Sequence, residues 1–189
     1  MKKTSKTALM VMDVQAGFVS GLVLPSVFLP LLAKTIDTAR PLVDLVIYTT
    51  VAFRSGYPEI APNNPTFNVA IKTGTFLEGS PETKIVPAVA PKQGDIQLEK
   101  KRVSAFSGSG LDVILRGSGI DTLVLAGITT SGVVLSTLAE AFDSDFNLVA
   151  LKDLCADSNV ALHNALTAGL FPSRAQVVGA EDWLASLKA

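Results

Sequence analysis

Three stretches of this 189-residue sequence carry side chains that could move a proton or hold a charge at the tip of a buried strand. Asp13 ends the apolar run Ala8–Met12 in Val11-Met12-Asp13-Val14-Gln15. A carboxylate placed there is partly desolvated, which raises its pKa and suits it to proton transfer. The same residue could instead cap the turn that follows. Lys100 stands in Glu99-Lys100-Lys101-Arg102-Val103-Ser104-Ala105-Phe106. Three consecutive cations read as a solvated face, yet neighbours in an extended segment point to opposite sides. Lys100 can therefore face a cleft while Lys101 faces water. Gly127-Ile128-Thr129-Thr130-Ser131-Gly132-Val133 follows another apolar run and opens a helical pattern. Such a junction aims backbone N–H groups and a helix dipole at whatever binds there. It lacks the P-loop lysine, and its glycine spacing does not fit a dinucleotide fingerprint. A plain helix start capped by Thr130 or Ser131 is the alternative.

Other side chains are weaker candidates. Arg54, in Val51-Ala52-Phe53-Arg54-Ser55-Gly56-Tyr57-Pro58, could grip a substrate carboxylate through its fork or pair with a nearby acid. Gln15, Phe18 and Phe53 are grouped with it as substrate contacts. The single Cys and the single His exclude an intrachain disulfide, a multi-Cys metal site and a His-rich one. Cys155 and His163 lie eight residues apart along a loop and helix, a spacing that does not require contact. A buried inert thiol and a packing imidazole are expected. No metal or other cofactor is expected.

The elements that must position these groups follow from hydrophobic periodicity. Five short, non-alternating apolar runs read as strands buried on both faces: 8–12, 45–48 (running on to 52), 123–126, 148–151 and 176–178. Helical patterns lie between them at 29–40, 110–117, 131–142, 160–170 and 180–187. Alternation of strands and helices means βαβ crossovers and a mainly parallel sheet. In such sheets ligands bind beyond the carboxyl ends of the strands, which directs attention to Asp13, Phe53-Arg54, Lys100, 127–133 and Asp153. Residues 53–94 break the rhythm with six prolines and four glycines. That excursion reads as a functional lid or a packing insertion within one domain spanning 1–189.

Composition excludes several classes. Sixteen Lys and Arg against 17 Asp and Glu give a net charge of −1, which does not fit a nucleic-acid binder. Hydrophobic residues make up 48%, which excludes disorder and suits a doubly covered sheet or an oligomer interface. Pro25 and Pro30 interrupt the most apolar stretch, and the lysines near the start precede too short a run for a signal peptide. A cytoplasmic protein and a homo-oligomer (dimer or tetramer) with a small-molecule substrate are expected, with no membrane partner.

Taken together, four segments resemble the isochorismatase-like hydrolase superfamily, which includes isochorismatases, nicotinamidases and N-carbamoyl amidohydrolases. They are Val11-Met12-Asp13-Val14-Gln15-Ala16-Gly17-Phe18, 100–106, 123–130 and Asp153-Leu154-Cys155-Ala156-Asp157. The resemblance implies a three-layer α/β/α, Rossmann-like fold with six mainly parallel strands, and a site built on an Asp, a Lys and often a Cys. Asp13 and Lys100 match the first two, with a separation of roughly 3–6 Å expected. It also implies a cis peptide between Ile128 and Thr129 and a backbone pocket around Ile128, Thr129 and Val133. The chain departs from the family at the nucleophile: the position six residues after Gly127 is Val133, which has no nucleophilic atom. The His-bearing metal cluster of the nicotinamidases has no counterpart in 51–58. The expected function is hydrolysis of a small carboxylate, vinyl ether or amide by Asp13 and Lys100 without a thiol. The alternatives are a thiol-independent amidase using activated water, and a non-catalytic relative that binds a ligand or assembles with partners.

Overall fold

The computed structural model describes residues 5–188; the lysines at the start of the chain lie outside them. Six strands form one sheet in the order β3-β2-β1-β4-β5-β6, and every pairing is parallel. The strands are β1 (Thr7–Met12), β2 (Leu45–Val51), β3 (Ile96–Lys100), β4 (Thr122–Ile128), β5 (Asn147–Ala156) and β6 (Gln176–Val178). Five of them sit on the five apolar runs. β3 is the exception. It is an edge strand whose side chains alternate between half-buried and exposed until Lys100, so it carries no continuous apolar signal.

Alternate residues of β1 explain the three layers. Ala8, Met10 and Met12 pack with α4 (Leu111–Ser118) and α5 (Leu135–Asp143) on one face. Leu9 and Val11 pack with α2 (Phe28–Ala39) and α7 (Ala180–Ser186) on the other. All five β1 side chains from Ala8 to Met12 are buried, as a strand covered on both faces requires. Among the described residues, no helix is long and apolar enough to cross a membrane.

Strand order reverses between β1 and β4, so the crevice of a doubly wound sheet opens at their carboxyl ends. Gly127 makes that junction possible. Its φ is 153°, and a Cβ there would lie 2.3 Å from the Met12 carbonyl oxygen. The excursion at 53–94 is more ordered than its composition suggests. It contains α3 (Asn68–Thr73), and Phe53 exchanges backbone hydrogen bonds with Phe76 and Glu78. A single bridge joins Gln15 to Ile85.

Candidate active site

Asp13 follows the last residue of β1 and adopts φ 57°, a left-handed conformation uncommon outside glycine but tolerated by Asp. That turn swings its carboxylate across the end of β2, where Thr49 Oγ1 donates to Oδ1 at 3.1 Å. Lys100 ends β3, two strands away. Neighbouring strands are about 4.8 Å apart, so only a long side chain can cross β2 to reach Asp13. Lys100 does so with 1% exposure, placing Nζ 2.7 Å from Asp13 Oδ2. The contact is direct and shorter than the separation expected from sequence. The ammonium also donates to the Arg102 carbonyl at 3.0 Å. Among the described residues those are its two polar partners, and an ammonium carries three donors. Burial pushes the Asp13 carboxyl above its ordinary value and outweighs the opposing pull of the Lys100 charge and of the Lys100 and Thr49 hydrogen bonds.

The Asp13–Lys100 pair forms the polar floor of a cavity of about 240 Å³. Ile128, Thr129, Gly132 and Val133 line one wall. The Ile128–Thr129 peptide is cis. Thr130–Val134 then makes a widened turn that leads into α5. Gly132 is needed there, because a Cβ would fall 2.6 Å from Thr129 Oγ1. The opposite wall comes from the excursion, through Thr66, Phe67, Val69, Ala70, Thr75 and Phe76. Phe18 stacks on Phe76 with centroids 4.7 Å apart, and Phe53 meets Phe67 edge-on at 5.3 Å.

A doubly wound sheet with a buried Asp–Lys pair at its switch point narrows the possible relatives, and one comparison decides among them. Residues 7–182 match the isochorismatase domain. The chain belongs to the isochorismatase family. It is 30% identical over 187 residues to YwoC, an isochorismatase family protein of Bacillus subtilis strain 168, covering 97% of this chain and 95% of that one. It is 35% identical over 173 residues to the ureidoacrylate amidohydrolase RutB of Stutzerimonas stutzeri, covering 80% and 70%. A solved isochorismatase family structure from Burkholderia thailandensis superposes with a TM-score of 0.83 at 26% identity, covering 97% and 96%. The chain is accordingly a hydrolase of isochorismatase-like fold.

Within this isochorismatase-family fold, the structure brings Asp13, Lys100, Phe18, Phe53, Ile128, Thr129 and Val133 to one cavity. Two expected substrate contacts go elsewhere. Arg54 pairs with Glu59 at 2.7 Å with its side chain 63% exposed, and it does not line the cavity. Gln15 is fully buried and ties the segment after β1 to β2 and to the turn at 81–83. Its Nε2 donates to the Val51 and Thr83 carbonyls at 3.0 and 2.9 Å, and its Oε1 accepts from the Val51 amide at 2.8 Å. Lys101 does not face water. It donates to the Ala52 carbonyl, Glu78 and Glu99 at 2.8, 2.7 and 2.6 Å. Asp153 lies inside β5, which is longer than its apolar run, and it accepts from the Ala180 amide at the start of α7.

The backbone cradle at the family's helix start is narrower than expected. The Ser131 amide donates to Asp157, and the Gly132 and Val134 amides donate to the Thr129 carbonyl. Two residues not anticipated as positioning groups hold this turn from outside. Asp157 Oδ2 accepts from both the amide and the hydroxyl of Ser131 at 2.8 and 2.6 Å. His163 Nδ1 meets Thr130 Oγ1 at 2.8 Å, so the imidazole partners the turn and not Cys155. The Cys155 thiol is buried against the Leu125 carbonyl, and burial pushes its pKa up to about 12. Among the described residues, no three His, Cys, Asp or Glu side chains converge as metal ligands would.

Proposed function

We propose that this isochorismatase-family hydrolase works by acid–base chemistry between Asp13 and Lys100, with water as the nucleophile and no thiol. The observation that carries this reading is the buried Asp13–Lys100 contact of 2.7 Å on the floor of the cavity. An acid kept above its ordinary pKa by burial can hold a proton to give, and the adjacent ammonium has a donor left for an oxygen that gains charge. Val133 supports the absence of a thiol route, because it lines the cavity wall without a nucleophilic atom. Cys155, with its elevated pKa, holds no thiolate near neutrality.

In a vinyl ether, Asp13 would protonate the enol carbon, water would add to the oxocarbenium ion, and the hemiketal would collapse to a ketone and an alcohol. In an amide, water would add to the carbonyl carbon while Lys100 holds the oxygen, and Asp13 would pass a proton to the departing nitrogen and regain one from the added water as the C–N bond breaks. Incubation with isochorismate, nicotinamide and carbamoyl compounds, followed by assays for pyruvate and ammonia, tests the reading. Turnover that disappears in Asp13→Asn and persists in Cys155→Ala supports it. Turnover lost in Cys155→Ala overturns it, and no turnover across a broad panel favours a non-catalytic relative. A homo-oligomer with 53–94 and the helix that starts near Ser131 in or beside the interface belongs to the same proposal; a monomer by light scattering at micromolar concentration refutes it.

A further inference from the structure

We propose that Asp157 and His163 are positioning residues of the active site, holding the cavity wall at 128–133 from its outer side so that it faces Asp13 and Lys100; this rests on the hydrolase reading above. Two observations carry it. The first is how the wall divides. Ile128, Thr129, Gly132 and Val133 line the cavity, whereas Thr130 and Ser131 between them do not. The turn is weakly bonded within itself. The Gly132 and Val134 amides share the Thr129 carbonyl, both at 3.2 Å, and Gly132 leaves helical geometry at φ −97°, ψ −105°. Its short bonds are the outward ones. The Ser131 amide and hydroxyl donate to Asp157 Oδ2 at 2.8 and 2.6 Å, and Thr130 Oγ1 meets His163 Nδ1 at 2.8 Å. Bonds to an ionised carboxylate are stronger than neutral ones. Thr130 is fully buried, so leaving its hydroxyl without the imidazole would be costly.

The second observation is the helix that carries His163, α6 (Val160–Ala165). None of its side chains is buried, so it adds little to the core. It is braced for the turn instead. Asn159 caps it by accepting from the Leu162 amide at 3.0 Å. The Asn159 amide donates to Asp157 Oδ1 at 3.1 Å, and the His163 amide donates to the Asn159 carbonyl at 2.9 Å. Asp157 and His163 are therefore fixed to each other through Asn159. Burial pushes the Asp157 carboxyl up, but the bonds from Ser131 and from the Asn159 amide, with the nearby His163, overcome it and hold it below its ordinary value. Neither residue lines the cavity, so both act through the backbone between them and it. A misplacement of about 1 Å at a site of this kind costs on the order of 10²-fold in rate.

The test joins steady-state kinetics, on whichever compound of the panel above turns over, to amide hydrogen exchange, which needs no substrate. Asp157→Ala and His163→Phe should each lower kcat by about 10–100-fold and move KM by less than about threefold. His163→Asn, whose side-chain amide can meet Thr130 where Nδ1 does, should recover most of the rate. Thr130→Val combined with His163→Phe should lose no more than either change alone, because both remove one bond. In the exchange arm, both Asp157→Ala and His163→Phe leave the bonds from the Gly132 and Val134 amides to the Thr129 carbonyl in place. Those two amides should nevertheless exchange at least about tenfold faster than in the parent, while the amides of β1 keep the parent rate. A kcat within about twofold of the parent in both variants overturns the proposal. So does a loss of rate accompanied by faster exchange across the whole sheet, the mark of a merely structural role. A parent without turnover defeats the hydrolase reading alone. The exchange arm then decides: faster Gly132 and Val134 amides leave the positioning inference standing, and unchanged ones overturn it.

Discussion

Asp13 and Asp95 are both buried carboxylates touching one cation, yet burial wins at the first and pairing at the second. Asp95 precedes β3 at the sheet edge, and its side chain is 3% exposed. Arg40 grips it through both prongs, Nε to Oδ1 at 3.0 Å and Nη2 to Oδ2 at 2.9 Å, and the Lys92 amide adds a third donor at 2.8 Å. Desolvation pushes the Asp95 carboxyl up, but the Arg40 and Lys92 hydrogen bonds and charges overcome it and hold it below its ordinary value. Asp13 has a point-charge ammonium and one hydroxyl instead, and it stays raised. The difference teaches how one fold builds two ion pairs for two tasks. A bidentate guanidinium locks a carboxylate in its ionised form. A single lysine in a dry pocket leaves the proton available.

The largest expected effect falls on the pair at the cavity. Asp13→Asn should lower kcat/KM by about 10²–10⁴-fold, the range general acid–base catalysis supplies. The equivalent change at the edge, Asp95→Asn, should leave turnover within about twofold once the chain is folded. Its signature is stability instead. Losing the carboxylate strands a partly buried guanidinium that keeps only Asp37, and we expect about 2 kcal/mol of destabilisation in urea titrations.

The two carboxylates should also bend stability with pH in opposite directions. Asp95 has a depressed folded pKa, so its contribution is present above the ordinary value of 3.8 and is lost as pH falls through the folded value. Asp13 has a raised folded pKa, so its contribution is present below 3.8 and is lost as pH rises through the folded value. Urea midpoints of each Asp→Asn variant against the parent, from about pH 3 to pH 7, should diverge accordingly. Turnover that needs Asp13 as a donor should fall along the same rising limb. The smallest effect belongs to the thiol. Cys155→Ala should change kcat/KM less than about twofold, and iodoacetamide near neutrality should leave activity intact, because the thiol stays protonated until about pH 12.

What the sequence discloses about this fold divides along physical lines. Strands covered on both faces announce themselves as apolar runs, as β1, β2, β4 and β5 do, and the short edge strand β6 also lies on one. β3 alternates because it is an edge, and it is found only through Lys100. Asp13 stands out because a charge follows a buried apolar run, whereas Lys100 is singled out from three consecutive cations by the resemblance to the family motif. Arg54 and Lys101 mislead because sequence shows a charge without its partner, and Glu59, Glu78 and Glu99 reach them only in the fold. The aromatic wall of the excursion stays hidden for a related reason. Prolines and glycines mark 53–94 as irregular but do not tell which faces of Phe67 and Phe76 turn inward.

Lys100 reaches Asp13 across nearly half the length of the chain, and the rest of the cavity comes from three further segments, 51–53, 66–76 and 128–133. Such contacts close large loops, so they form only when the parallel sheet has assembled. A ligand of the cavity therefore ties the carboxyl ends of β1 to β4 together, and amide protons of β1 and β4 should slow their exchange with solvent together when it binds.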